Sequence, residues 1–321
     1  MYDVVALGEI LIDFVQLEEN KEKNPVFEAN PGGAPCNVLS MLNKMGKKTA
    51  FIGKVGQDSF GEILEKAIGD IGIDKSGLVF DEKVSTTLAF VHKTEDGDRD
   101  FSFYRKPGAD IMLSEDEVNW ELIKNCKIFH FGSLSFTDEP IRTATKKAID
   151  FAKENQKIVS FDPNLRENLW DNLDDAKEFI WYGISLCDIL KIADNEIKWL
   201  TAIDNYDDAV EMIKKKTNAK MINVTLGKEG SISYYNNKKI YKNAFLNENT
   251  LDTTGAGDTF CGCVLSFVLD YGLEDDMDDE QINEMLEFAN AAASIVTTRK
   301  GALCSMPEKI EIEKVLKIGK L

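Results

Sequence analysis

Histidine is almost absent from this chain: His92 and His130 are the two in 321 residues. Cysteine occurs six times (36, 126, 187, 261, 263 and 304), and no pair has the C-x-x-C spacing. A zinc site needs clustered thiolate and imidazole ligands, so this composition argues against one. The cysteines read as scattered reduced thiols in apolar surroundings. Basic residues are outnumbered, with Lys+Arg 38 against Asp+Glu 56 and a net charge of −18, which disfavours nucleic acid as a partner. No apolar run is long enough to span a bilayer, and no basic segment leads into an apolar one at the N-terminus. The expectation is a cytoplasmic protein without a membrane partner. Two nucleotide signatures are missing as well. There is no G-x-x-x-x-G-K-[ST], so the chain is not a P-loop enzyme. The turn at 255–260 begins as G-x-G but carries Phe260 where a dinucleotide fingerprint has its third glycine.

What is present suffices for a large core: 43% hydrophobic and 29% charged residues, with no repeat, low-complexity tract or linker. Short apolar runs recur at Val4–Leu7, Ala50–Gly53, Ile128–Phe131, Ile158–Phe161, Ile189–Ile192 and Met221–Thr225. Helical patterns alternate with them at 35–45, 139–154, 173–182 and 206–217, followed by 281–297 and a surface helix near 307–318. This alternation predicts an α/β protein with a mostly parallel sheet covered on both faces. Polar residues follow the strands: Gly8-Glu9, Gly132-Ser133, Asp162-Pro163-Asn164, Lys191 to Glu196, and Thr225-Leu226-Gly227. Ligands of such sheets bind beyond the carboxyl ends of the strands, so these positions predict one shared cleft. The acidic run 274–280 reads as a solvated loop.

One segment breaks the pattern. Thr87–Lys93 and Asp100–Arg105 read as a hairpin turning at Asp96-Gly97, with Val15–Gln16 and Phe27–Glu28 able to pair beside it. A small projecting sheet has an apolar face that must be buried, either on its own domain or elsewhere.

Residues 252–263, D-T-T-G-A-G-D-T-F-C-G-C, carry the densest chemistry. Phe260, Val264, Phe267, Val268 and Tyr271 mark one apolar stripe of a helix that starts at the turn. Gly255, Ala256 and Gly257 then lie at a helix N-terminus, where free N–H groups favour an anion. Asp258 would sit beside that anion, a place suited to a general base. The alternative is that Asp258 caps the helix and the glycines make a turn.

D-T-T-G-A-G-D and the N-terminal P-G-G-A-P-C-N (31–37) resemble, in order and more than two hundred residues apart, the two signatures of the ribokinase-like (PfkB) carbohydrate kinases. The resemblance implies that 1–321 is one kinase domain, with a β-sheet lid formed by 13–31 and 84–110 and often shared across a homodimer. It implies phosphoryl transfer from ATP to a sugar hydroxyl, with Asp258 as base and the 255–257 turn as anion hole. Sugar-binding positions fall on Asp13, Gly32, Gly33, Asn37 and Asn164, with Arg105 and Arg166 near the acceptor end. Lys191, Thr225, Gly227, Gly230 and Asn290 fall on the nucleotide side. Glu196 matches the glutamate of an N-x-x-E motif that orders Mg2+ and its waters, although Ala193 stands in the first place. Asp252, Thr254, Val296, Arg299, Gly301 and Ser305 match the site of a monovalent cation, taken as K+.

Within the family, F-Y-R-K-P-G-A-D (103–110), D-P-N-L-R-E-N-L-W (162–170) and F-H-F-G-S-L-S (129–135) resemble fructokinase segments. Fructose is therefore the expected acceptor, with 2-keto-3-deoxygluconate or ribose as alternatives. An inactive sugar-binding relative is a third reading, which the retained Asp258, Gly255 and Gly257 oppose.

Overall fold

Val4, Val5, Ala6 and Leu7 are fully buried within strand β1 (Tyr2–Leu7). Neighbouring side chains face opposite sides of the pleat: Val4 and Ala6 join one apolar cluster, Val5 and Leu7 another. A strand covered on both faces has to read as an uninterrupted apolar run. The computed structural model describes residues 1–17, 23–93, 99–247, 249–274 and 277–318.

β2 (Leu11–Gln16) and β3 (Phe27–Gly32) leave the body before helix α1 (Ala34–Lys44). Then come β4 (Thr49–Gly56), α2 (Ser59–Ile71), β5 (Asp74–Asp81), β6 (Leu88–Lys93) and β7 (Arg99–Tyr104). The middle of the chain adds α3 (Trp120–Lys124), β8 (Cys126–Gly132), α4 (Ile141–Glu154) and β9 (Ile158–Asp162). α5 (Leu173–Leu186), β10 (Ile189–Ala193), α6 (Asp194–Thr201), α7 (Tyr206–Lys214) and β11 (Met221–Thr225) follow. The chain continues through β12 (Ser231–Tyr235), β13 (Lys238–Lys242), α8 (Ala256–Tyr271), α9 (Asp279–Val296) and α10 (Lys309–Ile318).

Among the described residues the larger sheet has nine strands in the order β13-β12-β11-β10-β9-β8-β1-β4-β5. Its neighbouring strands pair in parallel except at β11–β12 and β12–β13, where an antiparallel hairpin forms the edge. From β1 the chain moves outward to β4 and β5, then returns to place β8 on the other side of β1. That reversal opens a crevice beyond the carboxyl ends of β1 and β8.

The second sheet has the order β3-β2-β6-β7. Its two hairpins join through a parallel β2–β6 pair, with Asp13 opposite Ala89. The expected pairings of Val15 with Glu28 and Gln16 with Phe27 are present, while the expected turn at Asp96-Gly97 lies outside the described residues. One face is aromatic: Phe14 stacks on Phe90 at 4.9 Å, and Phe27 and Tyr104 meet Phe90 at 5.4 and 5.3 Å. Phe60 of α2 meets Phe14 edge-on at 5.6 Å, so the body covers part of this face. Tyr104 remains 67% exposed.

Three expectations need correction. The helix after the 255–257 turn is buried on nearly every side from Asp258 to Val268, rather than along one stripe. It lies against α1, and the small residues Cys261, Gly262, Cys263 and Ser266 permit that; a Cβ on Gly262 would sit 2.8 Å from Met41 Cβ. The acidic run 274–280 ends inside a helix: Asp278 caps α9 by accepting the Gln281 N–H at 2.9 Å. Of the six free cysteines, five are buried and Cys304 is exposed. Among the described residues no helix is long and apolar enough to cross a membrane.

Candidate active site

Gly255 precedes α8 with φ 80°, a left-handed conformation in which a Cβ would also fall 2.5 Å from Ala302 Cβ. The turn it makes aims the N-terminus of α8 into a cavity of about 430 Å3. The cavity wall brings together Asp13 from the small sheet, Gly33 and Asn37 from the start of α1, and Asn164 and Arg166 from the loop after β9. Lys191, Thr254, Gly255, Gly257 and Asp258 complete the group. Gly32 lies just behind it, and a Cβ there would meet Asp13 Oδ2 at 2.4 Å, so the missing side chain leaves room for that carboxylate. Ala256 does not line the cavity, because its N–H turns to Thr253 O at 3.2 Å. Of the three turn residues, Gly255 and Gly257 line the cavity.

Asp258 is 8% exposed, and Asn37 Nδ2 donates to its Oδ2 at 2.7 Å. Burial pushes its carboxyl up to about 6, and the Asp162 charge adds to this; the Asn37 bond, Lys191 and Arg166 oppose it. Burial likewise raises Asp13 to about 7, with Arg166 opposing and Asp252 and Asp258 reinforcing. Lys191 sits within β10 rather than in the loop after it, and its Nζ is 3.0 Å from Asp162 Oδ2. Burial alone would lower this ammonium, yet Asp162, Glu196 and Asp258 hold it above its usual value. A Cβ on Gly257 would lie 2.9 Å from Lys191 Nζ, which places a fixed cation at the first turn of α8.

Other expected site residues have different duties. Arg105 is buried away from the cavity wall, its Nε 2.7 Å from Asp110 Oδ2. Nη1 donates to Thr137 Oγ1 at 2.8 Å and Nη2 to Leu134 O at 3.1 Å, so most of the guanidinium is committed before any ligand arrives. Asn290 is similarly spent: Oδ1 accepts from Ser231 Oγ at 3.0 Å, and Nδ2 donates to Lys242 O and Asn243 O at 3.3 and 3.2 Å. It fastens α9 to the β12–β13 edge. Gly230 is required by packing, since a Cβ would stand 2.0 Å from Lys242 O. Thr225 ends β11, and Gly227 opens onto free space, with nothing within 4 Å of a Cβ built there.

Glu196 accepts the Leu165 N–H at 2.7 Å and the Ala193 N–H at 2.8 Å. It therefore caps α6 and anchors the loop after β9. Burial raises its carboxyl, Lys191 opposes and Asp162 reinforces. Each oxygen keeps a lone pair, so the carboxylate suits the waters around a hydrated Mg2+ better than a bare ion.

The segments expected to hold a monovalent cation pack side by side. Asp252 N–H donates to Thr297 O at 3.0 Å, and Thr254 N–H donates to Asp252 Oδ1 at 2.7 Å. Val296 O accepts the Arg299 N–H at 3.1 Å, and Ser305 O accepts from Arg299 Nη1 at 3.0 Å. Gly301, with φ 70°, turns the loop between them. Among the described residues no group of three or more His, Cys, Asp or Glu could hold a metal. Carbonyls with a spare lone pair are the donors on offer, and those suit a large monovalent ion.

One cavity residue and one carboxylate behind it carried no assigned role in the sequence. Glu9, directly after β1, lines the wall. Asp162, at the end of β9, is the partner of Lys191. Their signal was the same polar punctuation after a buried strand that marked the others.

Residues 1–309 match the profile of the pfkB family carbohydrate kinases. A probable fructokinase-3 of Arabidopsis thaliana is 41% identical over 317 residues, covering 98% of this chain and 91% of that protein. Fructokinase-1 of Zea mays is 40% identical, covering 98% of this chain and 97% of its own. The crystal structure of a Xylella fastidiosa fructokinase with bound ATP superposes with a TM-score of 0.89 at 29% identity, covering 99% of both chains. A Vibrio cholerae fructokinase double mutant with fructose, ADP and potassium ion bound gives 0.86 at 27% identity, covering 98% of each. With a parallel sheet, a separate four-stranded sheet and a carboxylate at the N-terminus of α8, the chain belongs to the pfkB family of carbohydrate kinases and has the ribokinase-like fold.

Proposed function

We propose that this kinase transfers the γ-phosphoryl group of ATP to the 6-hydroxyl of fructose, giving fructose 6-phosphate and ADP. The observation that carries the reading is Asp258: buried in the cavity, oriented by Asn37, and raised to about 6 so that it can both accept and release a proton near neutral pH. Asp258 takes the hydroxyl proton as the oxygen attacks phosphorus. Gly255, Gly257 and Lys191 meet the charge that develops on the transferring group. Mg2+, when bound with the nucleotide, supplies charge neutralisation; Glu196 would orient its waters. K+ would sit among Asp252, Thr254 and the carbonyls of 296–305. The open approach to Gly227 leaves room for the nucleotide, while Gly230 and Asn290 support the wall behind it.

Fructose is favoured over an anionic sugar by the charges of the wall. Glu9, Asp13 and Asp258 face Arg166 and Lys191, and Lys191 is already paired with Asp162. With Arg105 tied to Asp110, one arginine remains, too little for a phosphosugar or a sugar acid. The fructokinase relatives at about 40% identity support the same acceptor. The test is kcat/KM for fructose, ribose, fructose 6-phosphate and 2-keto-3-deoxygluconate at fixed Mg2+ and K+. Fructose should lead; either anionic sugar ahead by tenfold, about 1.4 kcal/mol in the transition state, overturns the assignment.

The small sheet acts as a lid, with Leu11, Asp13 and Phe103 on the face that lines the cavity. Its aromatic outer face, only part-covered by Phe60, supports a homodimer through the lid. Sedimentation as monomer alone at micromolar concentration removes the dimer.

A further inference from the structure

We infer that Glu9 is a second sugar-recognition carboxyl, taking one hydroxyl of the acceptor alongside Asp13. The inference rests on the fructose reading and names a residue that reading leaves without a task.

Glu9 follows β1 at the strand-order reversal and lines the same cavity as Asp13, Asn164 and Asp258. It is 4% exposed. Oε1 accepts the Ala34 N–H at 2.9 Å, and Oε2 is buried without a hydrogen-bond partner among the described residues. A buried carboxyl oxygen left unpaired is costly. Arg105, the cation whose field reaches Glu9, is bound to Asp110, whose own charge opposes ionisation of Glu9.

A purely structural account covers half of this arrangement. α1 starts at Gly33 without a side-chain cap, and Glu9 supplies the acceptor that its first N–H needs. That duty uses one oxygen, and a glutamine would perform it equally well. The second oxygen is surplus to it. A sugar hydroxyl, which both donates and accepts, satisfies it in either protonation state. Burial raises the carboxyl to about 7, so both states are accessible at neutral pH.

The experiment is a cycle between Glu9→Gln and a series of monodeoxyfructoses. Glu9→Gln keeps an acceptor for Ala34 and replaces Oε2 with an NH2 group. The expected result is a rise in fructose KM of about tenfold to a hundredfold, with ATP KM close to wild type and Tm no lower than wild type. One deoxyfructose should be a correspondingly poor substrate for the wild type and should show no further loss in the variant. Fructose binding measured by calorimetry without ATP should weaken by the same factor. An equal loss on every sugar means that Glu9 serves only the start of α1, and an unchanged fructose KM means that it meets no hydroxyl; either result overturns the inference. If the wild type fails to phosphorylate fructose while leading on another sugar, the substrate reading fails, and the same cycle on that sugar's deoxy series decides the role of Glu9.

Discussion

The raised carboxyl of Asp258 that fits the proposed base also carries a stability cost. Its folded value of about 6 stands above the ordinary 3.8, so the folded state holds its proton more tightly than the unfolded chain does. The stabilisation from that proton is complete below about pH 4 and is lost as pH rises through 6; Asp13 and Glu9, near 7, follow the same course slightly later. Tm should therefore fall between pH 5 and pH 8. Asp258→Asn should lower kcat by roughly 10²–10⁴-fold and yet raise stability at pH 8 by about 2 kcal/mol. Scanning calorimetry beside a coupled assay checks both; activity within a few-fold of wild type ends the base assignment. In the wild type kcat should drop about tenfold per pH unit below 6, as the base is protonated. Legibility at this scale followed chemistry that is local in sequence. Asp258, Asn37 and Gly255 stood within compact motifs, whereas Arg105 looked free because Thr137 and Leu134 meet it only after folding and the spacing of Asp110 within 103–110 does not mark it as a partner.

Among elements, the small sheet is tied to the body by the same Arg105. Thr87 Oγ1 donates to Asp110 Oδ1 at 2.5 Å, so Asp110 links the start of β6 to the end of β7 through one buried carboxylate. Arg105→Ala should cost about 3–5 kcal/mol by stranding Asp110, while Arg105→Met with Asp110→Leu should recover most of that loss. A phosphate-binding Arg105 would instead show raised ATP or sugar KM in both variants with Tm unchanged, and urea denaturation separates the cases. β1, β4, β8, β9, β10 and β11 and the helices α1, α4, α5, α7 and α9 were readable because their apolar spacing is strong, whereas the parallel β5, whose DKSGLVFD has no such run, was not. α2 was not foreseen, though Asp58 caps it and Gly72 closes it at φ 96°, signals that sit outside any motif. The β12–β13 hairpin turns at Asn236, with φ 54°, and its strands are distinguishable from helix only by the partners they find at the sheet edge.

Across the whole molecule, one of the two apolar clusters joins the N-terminal part of the chain to its C-terminal helices, with Ile128, Ile189, Met221 and Tyr235 between them. Met41, Phe51 and Leu64 share it with Phe260, Leu286 and Val315, and Ser40 Oγ donates to Leu303 O at 2.7 Å. A chain ending at residue 250 retains the nine strands but lacks α8 to α10, so it should bind a hydrophobic dye and unfold without a cooperative transition in calorimetry. Chains grow from the N-terminus at about 5–20 residues per second, so β1, α1 and β4 leave the ribosome roughly ten seconds or more before α8 arrives to cover them. During that interval the apolar side of α1 that α8 later covers has no partner from that helix. The bond between Asn37 and Asp258, 221 residues apart, can form only when the wait is over, and so a nascent chain has no activity to misuse until its core is closed.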